Sequence, residues 1–225
     1  MRIWDPGTGQ QRATLEGHHG SVWAACPVTV AGEQLLASAG SVGTVRIWDP
    51  GTGQQRATLE GHHGGVRAVC PVTVAGRELL ASADNDGMVR IWDSGTGQQR
   101  TLLEGRGVLW AVCPVMVAGE QLLASAGSDG TVRIWDPGTG QQRITLEGHR
   151  ADVGGVCPVT VAGKQLLASA GDDGTVRIWD PGTGACPFVI PTHYPPQAIA
   201  WAAGSLAIGL GAGILVIKPR SAGWS

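Results

Sequence analysis

The chain repeats itself at a fixed interval, and nothing else in it narrows the choice of fold as much. The segment Val-Arg-Ile-Trp-Asp-Pro-Gly-Thr-Gly-Gln-Gln-Arg at residues 45–56 returns with little change at 1–12, 89–100 and 132–143, and in shortened form at 176–184. Its tryptophans, Trp4, Trp48, Trp92, Trp135 and Trp179, are spaced by 44, 44, 43 and 44 residues. A period of this size belongs to architectures in which one supersecondary unit cannot bury its apolar face alone and stacks on copies of itself. The fold problem reduces to one such unit.

Within the unit the apolar period is two, the period of strands. In the second unit, Val66–Val74, Leu79–Ala83, Met88–Trp92 and Gln99–Leu103 read as strands a, b, c and d. Turn signals separate them: Ala75-Gly76, Asp84-Asn85-Asp86-Gly87, Asp93-Ser94-Gly95-Thr96-Gly97 and Glu104-Gly105. The reading is a four-stranded antiparallel meander, apolar on both faces. Such a sheet must be covered on each side by another, and radial repetition does this.

The residues flanking these strands resemble the WD40 repeat of β-propellers. The resemblance rests on Gly17-His18, Gly61-His62 and Gly148-His149 before strand a, and on Leu-Ala-Ser in strand b. It rests also on Asp-Gly-Thr-Val-Arg-Ile-Trp-Asp across strand c and on the repeat length; it covers about residues 1–185. From Ala198 onward the chain resembles a degenerate last repeat, with Ala-Ile-Ala-Trp, Leu-Ala-Ile-Gly and Ile-Leu-Val-Ile as its strands. The resemblance implies a structural hydrogen-bond relay in each blade, from the His before strand a through a Ser of strand b and an Asp of the b–c turn to the Trp of strand c. Carried over by position, His62, Ser82, Asp86 and Trp92 form one set, and His149, Ser169, Asp173 and Trp179 another. Val42 stands where the Asp would be beside His18, Ser38 and Trp48, and Arg106 replaces the His beside Ser125, Asp129 and Trp135. Those two blades are expected to be the less rigid ones, because a half-satisfied buried network costs stability. The last unit has Ala207, Gly211 and Ile217 at these places, so nothing of the relay survives there.

Counting strands gives an expected ring, with an open arc or a fragment of a longer propeller as the alternative. The expectation is an all-β, five-bladed β-propeller of four-stranded antiparallel blades over residues 1–218. Its blades fall at about 22–59, 66–103, 109–146 and 153–190, with a fifth made of 1–15 plus 197–218, and a short tail at 219–225. In it the N-terminal strand d, residues 11–15, completes the C-terminal blade so that no strand edge is left open. One strand c is then redundant, and 2–4 is expected to give way to 213–217.

Several chemistries lose force on context. Ser, His and Asp are also the members of a nucleophilic triad, but a triad occurs once, in a cleft, whereas this set recurs beside an indole in blade after blade. Gly-Thr-Gly joins two strands and opens no helix, so it is not a dinucleotide loop. The pairs His18-His19 and His62-His63 have no third ligand, and no Cys-x-x-Cys occurs, so no metal or other cofactor is expected. Cys26, Cys70, Cys113 and Cys157 hold equivalent places in successive units, each before Pro-Val, and read as small buried hydrophobes. The formal charge of −2, with no basic run, argues against nucleic acid and anionic membranes as partners. No apolar stretch is long enough to span a bilayer as a helix, the chain opens directly on a repeat strand, and a cytoplasmic location is the expectation.

Where near-identical repeats differ from one another, they carry information of their own. The second residue of strand a reads Trp23, Arg67, Trp110 and Gly154. The d–a loop reads His-His-Gly-Ser, His-His-Gly-Gly, Arg-Gly-Val and His-Arg-Ala-Asp; the b–c turn holds Ser41-Val42, Asn85-Asp86, Ser128-Asp129 and Asp172-Asp173. In a propeller these three regions open on one rim. The opposite turn varies too, with Glu33, Arg77, Glu120 and Lys164. Trp and Arg are the residue types that most often anchor interfaces. Trp23, Arg67, Trp110, His63, Asn85, Arg150, Asp152 and Asp172 are therefore the candidate contact residues for a protein or peptide partner. The resulting expectation is a non-catalytic interaction scaffold. The alternative is a regulatory or sensor module split from a larger signalling protein of kinase or NTPase type and acting through self-association.

Overall fold

The structure, a computed structural model, describes residues 1–219; the tail expected at 219–225 lies, except for Pro219, outside the described residues. The chain begins with a hairpin of β1 (Arg2–Trp4) and β2 (Gln11–Thr14). Blade 1 follows as β3 (Val22–Val30), β4 (Glu33–Gly40), β5 (Val45–Trp48) and β6 (Gln55–Leu59). Blade 2 is β7 (Val66–Val74), β8 (Arg77–Asp84), β9 (Met88–Trp92) and β10 (Gln99–Glu104); blade 3 is β11 (Leu109–Val117), β12 (Glu120–Gly127), β13 (Val132–Trp135) and β14 (Gln142–Leu146). Blade 4 is β15 (Val153–Val161), β16 (Lys164–Gly171), β17 (Thr175–Trp179) and β18 (Phe188–Pro191). A last sheet holds only β19 (Pro196–Ala202), β20 (Ser205–Leu210) and β21 (Gly213–Ile217). Each of blades 1–4 is a four-stranded antiparallel meander in chain order.

The core lies between blades. Four apolar clusters each join one blade to the next: blade 1 to Val66, Val69, Leu80 and Trp92, blade 2 to Leu109, Val112, Leu123 and Trp135, blade 3 to Val153, Val156, Leu167 and Trp179, and blade 4 to Leu206 and Ile208. The strand-c tryptophan is thus the plug that each blade sets into its predecessor. Trp48, Trp92, Trp135 and Trp179 are at most 3% exposed. Each removes roughly 200 Å2 from water, an upper limit of about 5 kcal/mol. Trp4, with no blade before it among the described residues, is 51% exposed.

The Asp after each tryptophan organises the c–d turn. Asp49 Oδ1 accepts the N–H groups of Gly51 (2.9 Å) and Thr52 (3.1 Å), while Arg56 donates to Oδ2 at 2.9 Å. Gly53 closes the turn at φ 76°, in the left-handed region where a side chain is strained. Its α-carbon rests on the strand d before it: a Cβ there would lie 2.9 Å from the Thr14 carbonyl oxygen. Gly97 on Leu59, Gly140 on Leu102 and Gly184 on Ile144 and Leu146 repeat the contact one blade later each time.

That contact corrects the expected closure. Because Gly53 rests on β2, the N-terminal hairpin is the outer half of a blade preceding blade 1, at the far end of the row from β19–β21. Among the described residues, strand β2 bonds only to β1, and β21 only to β20. Both copies of strand c are kept, so β1 is not displaced, and residues 1–15 and 197–218 do not share a sheet. The described chain is an arc with its two end sheets apart. Among the described residues, no helix is long and apolar enough to cross a membrane.

Candidate functional site

The relay residues meet between strands b and c, where the strand-b serine takes the strand-c indole N–H. In blade 4, Trp179 Nε1–H donates to Ser169 Oγ at 2.7 Å, Ser169 Oγ lies 2.7 Å from His149 Nε2, and His149 Nδ1 lies 3.0 Å from Asp173 Oδ2. An indole N–H can only donate, so the serine passes its own proton to Nε2 and the imidazole donates from Nδ1 to the carboxylate. Burial pushes Asp173 up, but hydrogen bonds from the Thr175 hydroxyl, the Arg150 N–H and His149 outweigh it and bring its carboxyl to about 2. Burial holds His149 below the ordinary imidazole value despite Asp173 beside it.

Blade 2 builds the relay from a different acid. His62 Nδ1 meets Asp84 Oδ2 at 2.6 Å, with Ser82 Oγ at 2.6 Å from Nε2 and Trp92 donating to Ser82 at 2.7 Å. The expectation of Asp86 in this role is therefore wrong. Strand b ends in Gly40, Gly127 and Gly171 in the other blades but in Asp84 here. In blade 4 a Cβ on Gly171 would collide with His149 Nδ1, so the missing side chain is what lets Asp173 reach the ring. Asp84 fills that place, and its other oxygen accepts the N–H groups of Asp86 and Met88, each at 2.9 Å. Asp86 is left exposed. The signal was in the sequence as the one Asp among glycines.

The other two blades hold partial sets. In blade 1, Ser38 joins His18 (2.8 Å) and Trp48 (2.7 Å), and the buried His18 Nδ1 has no partner among the described residues, as Val42 supplies none. In blade 3, Trp135 donates to Ser125 at 2.8 Å, Arg106 is exposed, and Asp129 pairs with Arg133 at 2.6 Å. The last sheet has Ala207, Gly211 and Ile217 where a relay would be.

On the rim of the inner strands the variable residues form one connected row. Strand a of every blade carries a register shift, one residue beyond its partner strand's count, at Trp23, Arg67, Trp110, Gly154 and Gln197. A β-bulge re-aims the side chain it carries. Here it turns the side chains along the row of blades: the Arg67 guanidinium carbon lies 3.8 Å from the Trp23 ring centroid and 4.8 Å from that of Trp110. Arg67 Nε donates to Asn85 Oδ1 at 2.7 Å, and Trp110 Nε1 donates to Asp152 Oδ2 at 3.2 Å. Asp172 is exposed, and its N–H bonds the Asp152 carbonyl at 2.8 Å. Arg150 is exposed and touches the cluster only through its N–H on Asp173 (3.0 Å); His63 is exposed and outside the ladder. Sequence reasoning missed Gly65, on which a Cβ would meet the Trp23 indole at 2.5 Å. Its signal was Gly where other repeats have Ser21, Val108 and Asp152.

Burial pushes the Cys26 and Cys157 thiols up to about 12, and Cys70 and Cys113 also far above the ordinary thiol value, so none supplies a thiolate near neutral pH. All five cysteines are free thiols. Among the described residues no group of three or more His, Cys, Asp or Glu could hold a metal ion.

Four-stranded antiparallel sheets set face to face, each plugged by an indole and tied by a Ser–Trp hydrogen bond, define a β-propeller. The family model described as WD domain, G-beta repeat matches residues 9–49, 53–93, 97–136 and 140–180, and the chain belongs to the WD40-repeat family. Each matched unit runs from strand d of one blade through strand c of the next. Among solved structures, the chain is similar to the crystal structure of the computationally designed Ika8 protein, with a TM-score of 0.76 and 27% identity over 96% of this chain. It spans 64% of that chain's length. No curated protein matches the sequence.

Proposed function

We propose that this chain is a non-catalytic, cytoplasmic scaffold that presents the rim bearing Trp23, Arg67 and Trp110 to a protein or peptide partner. The observation that carries the reading is the ladder itself. Residues that differ between repeats fit one another, Trp23 on Gly65 and Trp110 on Asp152 across blades, Arg67 on Asn85 within blade 2. Drift without selection would leave such differences unmatched. The ladder spans three blades, holds a 39% exposed indole at Trp23, and is already packed side chain on side chain without a partner. Anchors held in place lose little freedom on binding. Affinity capture with the wild-type chain and with Trp110→Ala, the fold of both checked by circular dichroism, tests it. A heterologous partner lost only with the variant supports the scaffold, and an identical set of captured proteins counts against it.

A second reading is favoured by a separate observation. Among the described residues strand β21 has one edge unpaired, with Ile214 76% and Val216 61% exposed. An open apolar edge of this kind pairs readily with another chain. A regulatory or sensor module acting through self-association would use it.

A further inference from the structure

The row of bulge residues breaks at blade 4. Gly154 is exposed, and a Cβ built on it meets no atom within 4 Å. What a side chain would find there is shown by blade 2. Arg67 has two neighbours that define its place: the indole of the blade before it, Trp23 at 3.8 Å, and the side-chain oxygen of Asn85 in its own b–c turn at 2.7 Å. Blade 4 has both again. The indole of the blade before is Trp110, and the b–c residue aligned with Asn85 is Asp172. A second carboxylate, Asp152, is held by the Trp110 N–H at 3.2 Å and carries the Asp172 N–H on its carbonyl at 2.8 Å. Blade 4 therefore keeps the surroundings of Arg67, with the amide exchanged for a carboxylate and the arginine taken away.

We propose that the space over Gly154 binds an arginine side chain of a partner polypeptide, its guanidinium stacked on Trp110 and ion-paired to Asp172 and Asp152. The proposal rests on the scaffold reading and names the chemistry the partner must bring. A guanidinium is planar, weakly hydrated and able to stack on an indole while donating in its plane to two carboxylates, which an ammonium cannot do. The charge at the site suits it. Asp173 is occupied by His149 and Thr175, but Asp152 and Asp172 form no ion pair among the described residues, Arg150 included. A guanidinium arriving there meets carboxylates that no cation among the described residues has claimed.

The test uses the full chain and three probes: blocked Gly-Arg-Gly, the same peptide with neutral, isosteric citrulline, and the variant Gly154→Arg, which offers the arginine in cis. Nothing lies near Gly154, so this variant should fold as the parent does. The readout is the Trp110 indole N–H resonance, assigned with Trp110→Phe. The arginine peptide is expected to shift it saturably at millimolar concentration, the citrulline peptide to bind at least about tenfold more weakly, Gly154→Arg to abolish the response and Asp172→Asn to weaken it. No shift with the arginine peptide, an equal shift with citrulline, or an unchanged response in Gly154→Arg overturns the proposal. A natural partner lost on Trp110→Ala but retained by Gly154→Arg would uphold the scaffold and end this inference; a peptide response as described with no partner captured would do the reverse.

Discussion

At the scale of single residues, the relays explain which blades are tightly bound and how they respond to acid. In blade 1 the imidazole of His18 has a buried Nδ1 with nothing to bond to, and a buried unmet donor costs about 1–3 kcal/mol. Val42→Asp should restore the fourth member, raise stability by about 1–2 kcal/mol, and raise the His18 pKa from the depressed position that burial and the nearby Arg46 now give it. Urea unfolding and a proton-NMR titration of the ring measure the two effects. In blade 4, both His149 and Asp173 hold protons less tightly folded than unfolded. As pH falls, the unfolded chain protonates first, so stability is whole above the unfolded values and is lost below them. Loss should begin under about 6.5 through His149, and resume between 3.8 and about 2 through Asp173. Urea midpoints taken across that range should show both declines, with the first reduced in His149→Gln. Of the two acids that complete a relay, Asp173 could be read from position alone. Asp84 could not, because spacing says which residue is aligned and not which carboxylate the backbone brings closest to the ring.

At the scale of elements, the meander was legible because alternation and turn residues agree in each copy. Strands a and c were placed to the residue in blade 2, while b and d extend slightly further, to Arg77–Asp84 and Gln99–Glu104. The bulges were not legible, since an extra residue on one strand leaves the alternating pattern almost unchanged, and they are what turn Trp23, Arg67 and Trp110 toward one another. The a–b turns also hold strain that can be removed. Ala31, Ala75, Ala118 and Ala162 lie at φ 51°, 50°, 51° and 48°, each followed by a glycine also at positive φ. Two-residue hairpins of this type favour Asn-Gly, and an L-residue with a plain Cβ is disfavoured at the first position. Ala75→Asn should therefore stabilise by about 0.5–1 kcal/mol, and all four changes together should raise the melting temperature nearly additively, since they sit in separate blades. The charge differences at the same turns are matched locally: Arg77 and Lys164 pair directly with Asp93 (2.6 Å) and Asp180 (2.7 Å), whereas Glu33 and Glu120 lie 3.9 Å from Arg56 and Arg143. That rim varies by compensated exchange and contributes little energy, because exposed pairs are screened.

At the scale of the whole molecule, strand counting left two ways to place the ends, and only packing decides between them. A strand c at each end can be counted as redundant, or both can be kept, and no pattern in the residues tells the difference. The c–d turn resting on the preceding strand d does, and it sets the hairpin β1–β2 apart from β19–β21. With Val216 on an unpaired edge, light scattering over a rising concentration series should show the mean mass increase, and Val216→Lys should hold it nearer one chain's 23.2 kDa. The phase between repeat and blade has a further consequence. Because each copied segment starts inside one sheet and finishes inside the next, removing residues 53–96 would join Thr52 to Gly97 and leave Asp-Pro-Gly-Thr-Gly-Gln intact across the cut. Such a shortened chain should refold cooperatively, with a smaller radius of gyration in X-ray scattering. A gene built this way can gain or shed whole segments by unequal exchange, and every product inherits junctions that already fit.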